Sequence, residues 1–459
     1  MQDRSQAEGL LLYLWTFGGE KGEHMETVQD VYARKTVSLD EVFERFILSG
    51  TSMYTGGLHV ASTIIHELMA RVEDGRLEGI DIYGNWMNGT FDFKSLDVGP
   101  ERFRYHTYFA GPNERAGFGT CVSHVPAHFS QVSALMRSVR PDYAVVQMTP
   151  PDSRGICNIG PLGFEPGSIR ACKGIIAQIN SKLPRVFGDS HDFHVDDIDA
   201  FFVCDEDLED VTVAPPTAEE RACAAFIVDR VNDGDCIQLG IGGILNAVAE
   251  GLMTKRHLGC FTEMYSDALV PLQQAGVIDN SRNSYFPGRS VGGYSTGAAR
   301  LYDFIDRNPE VYYCSYDTVT NPYCIAKNDN MVSVNTAISI DLTGQVCAES
   351  IGSRQYSASG GQFDFVRGAR MAKNGRSFIA VTSVANTRQG PTSKIVPTLA
   401  PGSAVTTLRN DVQYVVTEYG VADLGYQDVS TRAKRLIDIA HPDFRDELTS
   451  EAKRLGLLF

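Results

Sequence analysis

Cys236-Ile-Gln-Leu-Gly-Ile-Gly-Gly-Ile-Leu-Asn-Ala-Val-Ala-Glu250 reads as a short buried strand, a glycine turn and the start of a helix. A strand that passes through glycines into a helix opens a β–α unit. Repeated along a chain, such units build a mainly parallel sheet covered by helices. About twenty residues past the turn, in Gly259-Cys-Phe-Thr-Glu-Met-Tyr-Ser-Asp267, stands Glu263. That pairing has two chemical readings. In a dinucleotide-binding unit the glycines hold a pyrophosphate and the acid holds a ribose. In an acyl-transfer enzyme the acid is a nucleophile beside backbone N–H donors. A dinucleotide fingerprint starting at Gly240 needs a third glycine where Leu245 stands, which weakens the first reading. Gly242 and Gly243 instead leave adjacent peptides free of side chains, so their N–H groups can face an oxyanion. A plain turn with an exposed glutamate is the third reading.

The alternation extends to both sides. Ser38-Leu-Asp-Glu41 ahead of an apolar run predicts a boxed helix start. Thr51-Ser-Met-Tyr54, then Gly56-Gly57, then residues 61–71 read as strand, glycine turn and helix. Tyr143–Met148 and residues 174–180 read as buried strands, the first ending at the rigid Thr149-Pro-Pro-Asp-Ser-Arg-Gly155. Val213-Ala-Pro-Pro-Thr217 reads as a linker, followed by a helix over residues 218–231 with Thr217 as its cap. The fold expected is α/β: two related open domains with mainly parallel sheets, helices on both faces and an active site in the cleft between them. Residues 1–27 form an extension, 28–213 a first domain and 214–459 a second domain that carries Glu263. The match between Gly56-Gly57 and Gly242-Gly243 suggests a duplication.

At 459 residues, 43% hydrophobic and 21% charged, the chain is a globular protein large enough for two or three domains. A net charge of −16 argues against a nucleic-acid partner, which needs a basic surface. An anionic ligand must then meet a local basic pocket or helix N-termini. Ten cysteines without a CxxC pair suit buried thiols in a reducing compartment. The pairs His124/His128 and His191/His194 lack neighbours that would complete a ligand set, so no metal is expected. The run Leu10-Leu-Leu-Tyr-Leu-Trp15 is too short for a span and lacks a basic leader, which leaves the cytoplasm as the expected location and no membrane partner.

A second glycine loop lies at Ser357-Ala-Ser-Gly-Gly-Gln362. Together with Gln238-Leu-Gly-Ile-Gly-Gly-Ile244, Thr262-Glu-Met-Tyr-Ser-Asp267, Ile325-Ala-Lys-Asn-Asp-Asn-Met331, Asp341-Leu-Thr-Gly-Gln-Val-Cys347, Gly360-Gly-Gln-Phe-Asp-Phe365 and Val415-Val-Thr-Glu-Tyr-Gly420, it gives the chain its resemblance. Over roughly residues 30–446 the chain resembles the acetyl-CoA hydrolase/transferase family, class I CoA-transferases of the 4-hydroxybutyrate and butyryl type. The resemblance implies a ping-pong reaction. A glutamate at the position of Glu263 attacks an acyl-CoA, giving a mixed anhydride and then a glutamyl-CoA thioester, from which an incoming carboxylate takes the CoA. It implies CoA contacts at Gly240, Ile241, Gly242, Gly243, Ile244, Ile338, Gly360 and Gly361, whose N–H groups stabilise each oxyanion. It further implies coenzyme A as substrate, no metal or redox nucleotide, and a homodimer or homotetramer. A carboxylate is ordinarily ionised at neutral pH, so no separate base is expected.

Lys327, Lys394, Arg388 and Arg354 are candidates for the CoA phosphates, and Glu418 is a weaker candidate nucleophile without a glycine turn. Leu245 stands where the family usually has proline and Ala268 where it has glycine. Phe286-Pro-Gly-Arg289 and Val291-Gly-Gly-Tyr-Ser-Thr296 also diverge. These departures point to an altered acyl pocket and a small dicarboxylate such as itaconate. Succinyl-, acetyl- or butyryl-CoA would be the donor, with 4-hydroxybutyrate or butyrate as the other acceptors. A hydrolase using the same glutamate is the alternative.

Overall fold

The computed structural model describes residues 26–96, 98–211, 214–388 and 390–458. Most of the expected extension, its apolar run at residues 10–15 and the boundary at Val213 lie outside the described residues. Thr27, assigned to the extension, instead caps the helix Val28–Lys35 through a reciprocal box with Asp30.

Two parallel sheets organise the chain. The first takes β1 (Ser52–Leu58), β2 (Ile80–Met87), β3 (Phe103–Thr107), β4 (Val122–His124), β5 (Tyr143–Met148), β6 (Gly174–Ile179) and β7 (Ala200–Val203) in the order β7-β6-β5-β1-β2-β3-β4. All its pairings are parallel. The second takes β8 (Cys236–Leu239), β9 (Gly259–Cys260), β10 (Met331–Thr336), β11 (Arg376–Ala380), β12 (Tyr414–Thr417) and β13 (Gly420–Asp423) in the order β9-β8-β10-β11-β12-β13. Only its last pair is antiparallel.

The two sheets share a winding. In each, the first strand sits inside the sheet, the chain builds outward on one side, then crosses back and continues on the other. Each therefore has a switch point, between β1 and β5 and between β8 and β10. The crevice beyond the carboxyl ends of the strands at such a point is where open α/β sheets bind ligands.

Alternate residues of the first sheet enter different cores, as the pleat requires. Met53, Val145, Ile176 and Ala200 pack with Ile64, Leu68 and Val72 of the helix Ser62–Glu73. Tyr54, Val146, Ala177 and Phe201 pack with Val132 and Met136 of the helix Val132–Val139 and Ile169 of the helix Pro166–Ala171. Helices thus cover both faces. In the second half, Ile237, Val332 and Phe378 pack on the helices Ala218–Val228 and Gly243–Leu252 through Ile227 and Val248. Capping boxes begin Leu39–Arg45 (Ser38 with Glu41) and Ala218–Val228 (Thr217 with Glu220), as the sequence predicts.

Gly56-Gly57 differs from expectation. The pair lies inside β1, where the register with β2 shifts on either side of Gly56, and makes no strand-to-helix turn. The physical reason is space. A side chain at Gly57 would fall 1.0 Å from Asn85 Oδ1, and Gly56, at φ +65°, faces the Phe164 ring. This pair is therefore not the counterpart of Gly242-Gly243. The likeness between the halves rests on the winding of the sheets.

Candidate active site

Glu263 follows β9 in an extended stretch that lies alongside residues 290–294. Thr262 N–H donates to the Val291 carbonyl (2.9 Å), and Gly293 and Tyr294 N–H both donate to the Glu263 carbonyl (2.7 and 3.2 Å). Tyr265 N–H returns to the Tyr294 carbonyl at 2.9 Å. The Thr262 hydroxyl donates to the Leu239 carbonyl at 3.0 Å, tying this stretch to the end of β8. The main chain around Glu263 is therefore fixed by its neighbours on both sides.

The side chain points into a cavity between the sheets. Tyr294 Oη donates to Glu263 Oε1 at 2.8 Å. On the other side a Cβ at Gly361 would sit 1.9 Å from Glu263 Oε2, so only glycine lets the loop come this close. Burial pushes the Glu263 carboxyl up to about 7, against the opposing pull of the Tyr294 hydroxyl and the Gly361 N–H. Burial, which local sequence does not encode, thus opposes the ionisation at neutral pH that the sequence leads one to expect.

The second glycine loop is held by the first half of the chain. Phe129 N–H donates to the Gly360 carbonyl at 3.0 Å and His128 Nδ1 lies 2.7 Å from Ser359 Oγ. Ser130 donates to Asp364 from its hydroxyl (2.7 Å) and its N–H (3.2 Å). The His128 ring stacks on Phe363 at 4.8 Å. Asp364 opens the helix Gln362–Met371, and burial, countered by Ser130, pushes its carboxyl to about 7; the charge of Glu263 adds to the rise.

The cavity, about 200 Å³, is lined by Leu58, Asn85, Trp86, Phe109 and Phe129 from the first half. Gln238, Met264, Tyr294, Asn335, Thr336 and the loop Ser357–Gln362 line it from the second. It opens at the carboxyl ends of β1, β2, β8 and β10, beside both switch points. At the second of these, Asn335 donates to Gln238 at 3.3 Å.

Not every expected contact reaches it. Gly240, Ile241, Gly360 and Gly361 line the cavity, as does Leu245, while Gly242, Gly243 and Ile244 do not. Gly242, at φ +127°, is the N-cap of Gly243–Leu252. A Cβ at Gly243 would lie 2.2 Å from the Glu220 carboxylate, so that glycine serves helix packing. Ile244 is buried in the core. Ile338 N–H donates to the Cys347 carbonyl at 2.8 Å and is not available to an oxyanion. Lys327 stacks 4.6 Å from the Tyr285 ring, Lys394 donates to Thr382 Oγ1 at 2.9 Å, and Arg388 is exposed. Arg354 joins Lys94, Arg115 and His124 around a separate open hollow, away from the cavity that holds Glu263. Glu418 accepts from Ser383 Oγ and N–H (2.5 and 2.8 Å) and orders its own loop. Among the described residues no group of three or more His, Cys, Asp or Glu side chains could hold a metal. No helix there is long and apolar enough to cross a membrane.

Two switch points beside one cavity, with the half-buried Glu263 carboxylate held there between Tyr294 and Gly361, define an α/β protein built around an acidic site. Known proteins place it further. Acetyl-CoA hydrolase/transferase N-terminal domain matches residues 20–213, and the C-terminal domain of the same description matches residues 297–452. The chain is 43% identical over 335 residues to a succinyl-CoA:cyclohexane-1-carboxylate CoA transferase of Geobacter metallireducens, covering 72% of this chain and 76% of that one. It is 41% identical over 356 residues to a 4-hydroxybutyrate coenzyme A transferase of Clostridium kluyveri, covering 77% and 82%. The crystal structure of RipA from Yersinia pestis superposes with a TM-score of 0.87 at 32% identity, covering 94% of this chain and 100% of the other. The protein belongs to the acetyl-CoA hydrolase/transferase family.

Proposed function

We propose that the protein is a CoA-transferase that moves CoA from an acyl-CoA to a small carboxylic acid through Glu263, and that the acceptor acid has an uncharged tail. The observation that carries this reading is the Glu263 carboxylate, held between Tyr294 and Gly361 at a cavity lined from both halves. Exchange of a thioester for a carboxylate is nearly balanced in energy. The enzyme then has to supply position, donors and dryness, which a narrow cleft with rigid walls provides. In the first half-reaction Glu263 attacks the acyl carbonyl, CoA leaves as thiolate, and thiolate attack on the resulting anhydride gives a glutamyl thioester and the free acid. The second half-reaction is the reverse with a new acid.

The lining argues about the acid itself. Among the described residues no lysine, arginine or histidine lines the cavity; aromatic and aliphatic side chains share its walls with neutral polar groups, the amides Asn85, Gln238, Asn335 and Gln362 and the hydroxyls of Thr296, Thr336, Ser357 and Ser359. A second carboxylate would lie there without a cation, at a cost of several kcal/mol. The small dicarboxylate suggested by the sequence departures is therefore disfavoured against a monocarboxylate with an apolar or hydroxylated tail.

Incubation with butyryl-CoA and a panel of acids, followed by mass spectrometry of the acyl-CoA products, tests both parts. New thioesters from butyrate-like, 4-hydroxybutyrate-like and alicyclic acids are expected, absent in Glu263→Ala. Free CoA without a new thioester would mean a hydrolase. Turnover of itaconate or succinate at the rate of the monocarboxylates would overturn the uncharged-tail reading.

A further inference from the structure

Glu263 offers two oxygens in different company. Oε1 is fixed by the Tyr294 hydroxyl at 2.8 Å, and Oε2 lies against the side-chain-free Gly361. Tyr294 is itself immobilised. Its N–H and carbonyl pair with Glu263 and Tyr265, and its ring packs edge-on to Phe129 at 6.4 Å and beside Tyr316 at 6.1 Å. Gly293 permits this approach, since a Cβ there would fall 3.0 Å from the Glu263 carbonyl and 2.9 Å from Val319. Its phenol is pushed well above 10 by burial and by the neighbouring carboxylate, so the hydroxyl stays a proton donor.

We infer that Tyr294 is a catalytic residue that stabilises the oxyanion formed on Glu263 itself. If Glu263 attacks through Oε2, the anhydride is R–C(=O)–Oε2–Cδ(=Oε1), and Oε1 becomes the glutamyl carbonyl oxygen. When CoA thiolate adds to Cδ, the electron pair of that carbonyl moves to Oε1. The new C–S bond forms, the Cδ–Oε2 bond breaks, and the acid leaves as carboxylate carrying Oε2. When the second acid adds to Cδ of the thioester, the pair returns to Oε1 and CoA leaves as thiolate. Both tetrahedral species place negative charge on Oε1, where a rigid O–H already points. The Gly361 N–H faces the other oxygen, Oε2, so the two oxygens of Glu263 have different donors.

The inference rests on the proposed CoA transfer, and the test separates the two. Wild-type protein is mixed with butyryl-CoA alone and the intact mass is followed in time. A CoA-sized adduct on Glu263 supports the transfer reading, and its absence removes that reading whatever Tyr294 does. With the adduct established, Tyr294→Phe is expected to lower kcat and the rate of adduct formation together by roughly 100-fold, with KM for butyryl-CoA within about threefold. The acid limb of the pH profile should also move upward, because the carboxylate has lost a donor. Full adduct rate with slow overall turnover, or kcat within twofold of wild type, overturns the inference. Should Tyr294→Phe fail to bind acyl-CoA, a fluorinated tyrosine at 294 keeps the shape and ionises at lower pH. The stronger donor to Oε1 should move the acid limb of the profile to lower pH, and an unchanged limb overturns the assignment.

Discussion

Replacing Glu263 by glutamine should make the protein more stable, and more so as pH rises. Burial raises the carboxyl from the ordinary 4.5 to about 7, so the folded state binds its proton more tightly than the unfolded chain. The sign follows directly. The native side chain costs nothing below about pH 4.5, costs progressively more as pH rises, and reaches its full cost above pH 7. A shift of about 2.5 units at 1.36 kcal/mol each is about 3 kcal/mol at high pH. Between pH 5.5 and 8.5 the change in cost is about 2 kcal/mol, because part of it is already present at the lower value. Glutamine does not titrate. Its own costs, including an amide donor facing the Gly361 N–H, are the same at both pH values and cancel in the difference. Asp364 remains in both proteins, and loss of its charged neighbour acts in the same direction. At about 2.1 cal/mol/K per residue over 459 residues, 2 kcal/mol corresponds to an extra Tm gain of about 2 °C at pH 8.5 over pH 5.5. Thermal unfolding of wild type and Glu263→Gln at the two pH values is the assay. An equal Tm difference at both would refute the reasoning, since it would mean that burial does not raise the Glu263 carboxyl.

Three other outcomes follow from the same geometry. Gly361→Ala places a methyl where Glu263 Oε2 now lies, and should lower kcat by about 100-fold with folding intact, as measured by steady-state transfer and circular dichroism. For the unaltered protein, kcat/KM for acyl-CoA should rise with pH to a plateau, with an apparent midpoint near 7 that belongs to Glu263 and Asp364 as a coupled pair. A flat profile between pH 5.5 and 8 would contradict it. Ser130→Ala removes the 2.7 Å donor to Asp364 and should cost about 1–3 kcal/mol at pH 8 and less at pH 6, where Asp364 is protonated; paired denaturant titrations distinguish the two.

Much of the fold was legible because its signals are local. Ser38 with Glu41 and Thr217 with Glu220 announce helix starts by chemistry within four residues, and Tyr143–Met148 announces a buried strand by composition alone. The motifs around Glu263 and around Gly360 and Gly361 single out residues that meet at one cavity. Gly56-Gly57 was misread because a glycine pair looks the same whether it makes a turn or yields space to a neighbour. What decides is Asn85, on another strand. Tyr294 stood in a segment that looked merely divergent. Its approach to Glu263 depends on two extended stretches lying side by side, which no local pattern encodes.

The grip of residues 128–130 on the loop at Ser359, Gly360 and Asp364 has a consequence for how such proteins can be recombined. Glu263 and the loop facing it come from one half, yet the position of that loop relative to Glu263 is set by residues of the other. A chimera joining the first half of one relative to the second half of another could fold both sheets correctly and still be inert. The boundary that matters for swapping is then the match between these few residues, and libraries of hybrids should carry 128–130 and 357–364 as one inherited unit.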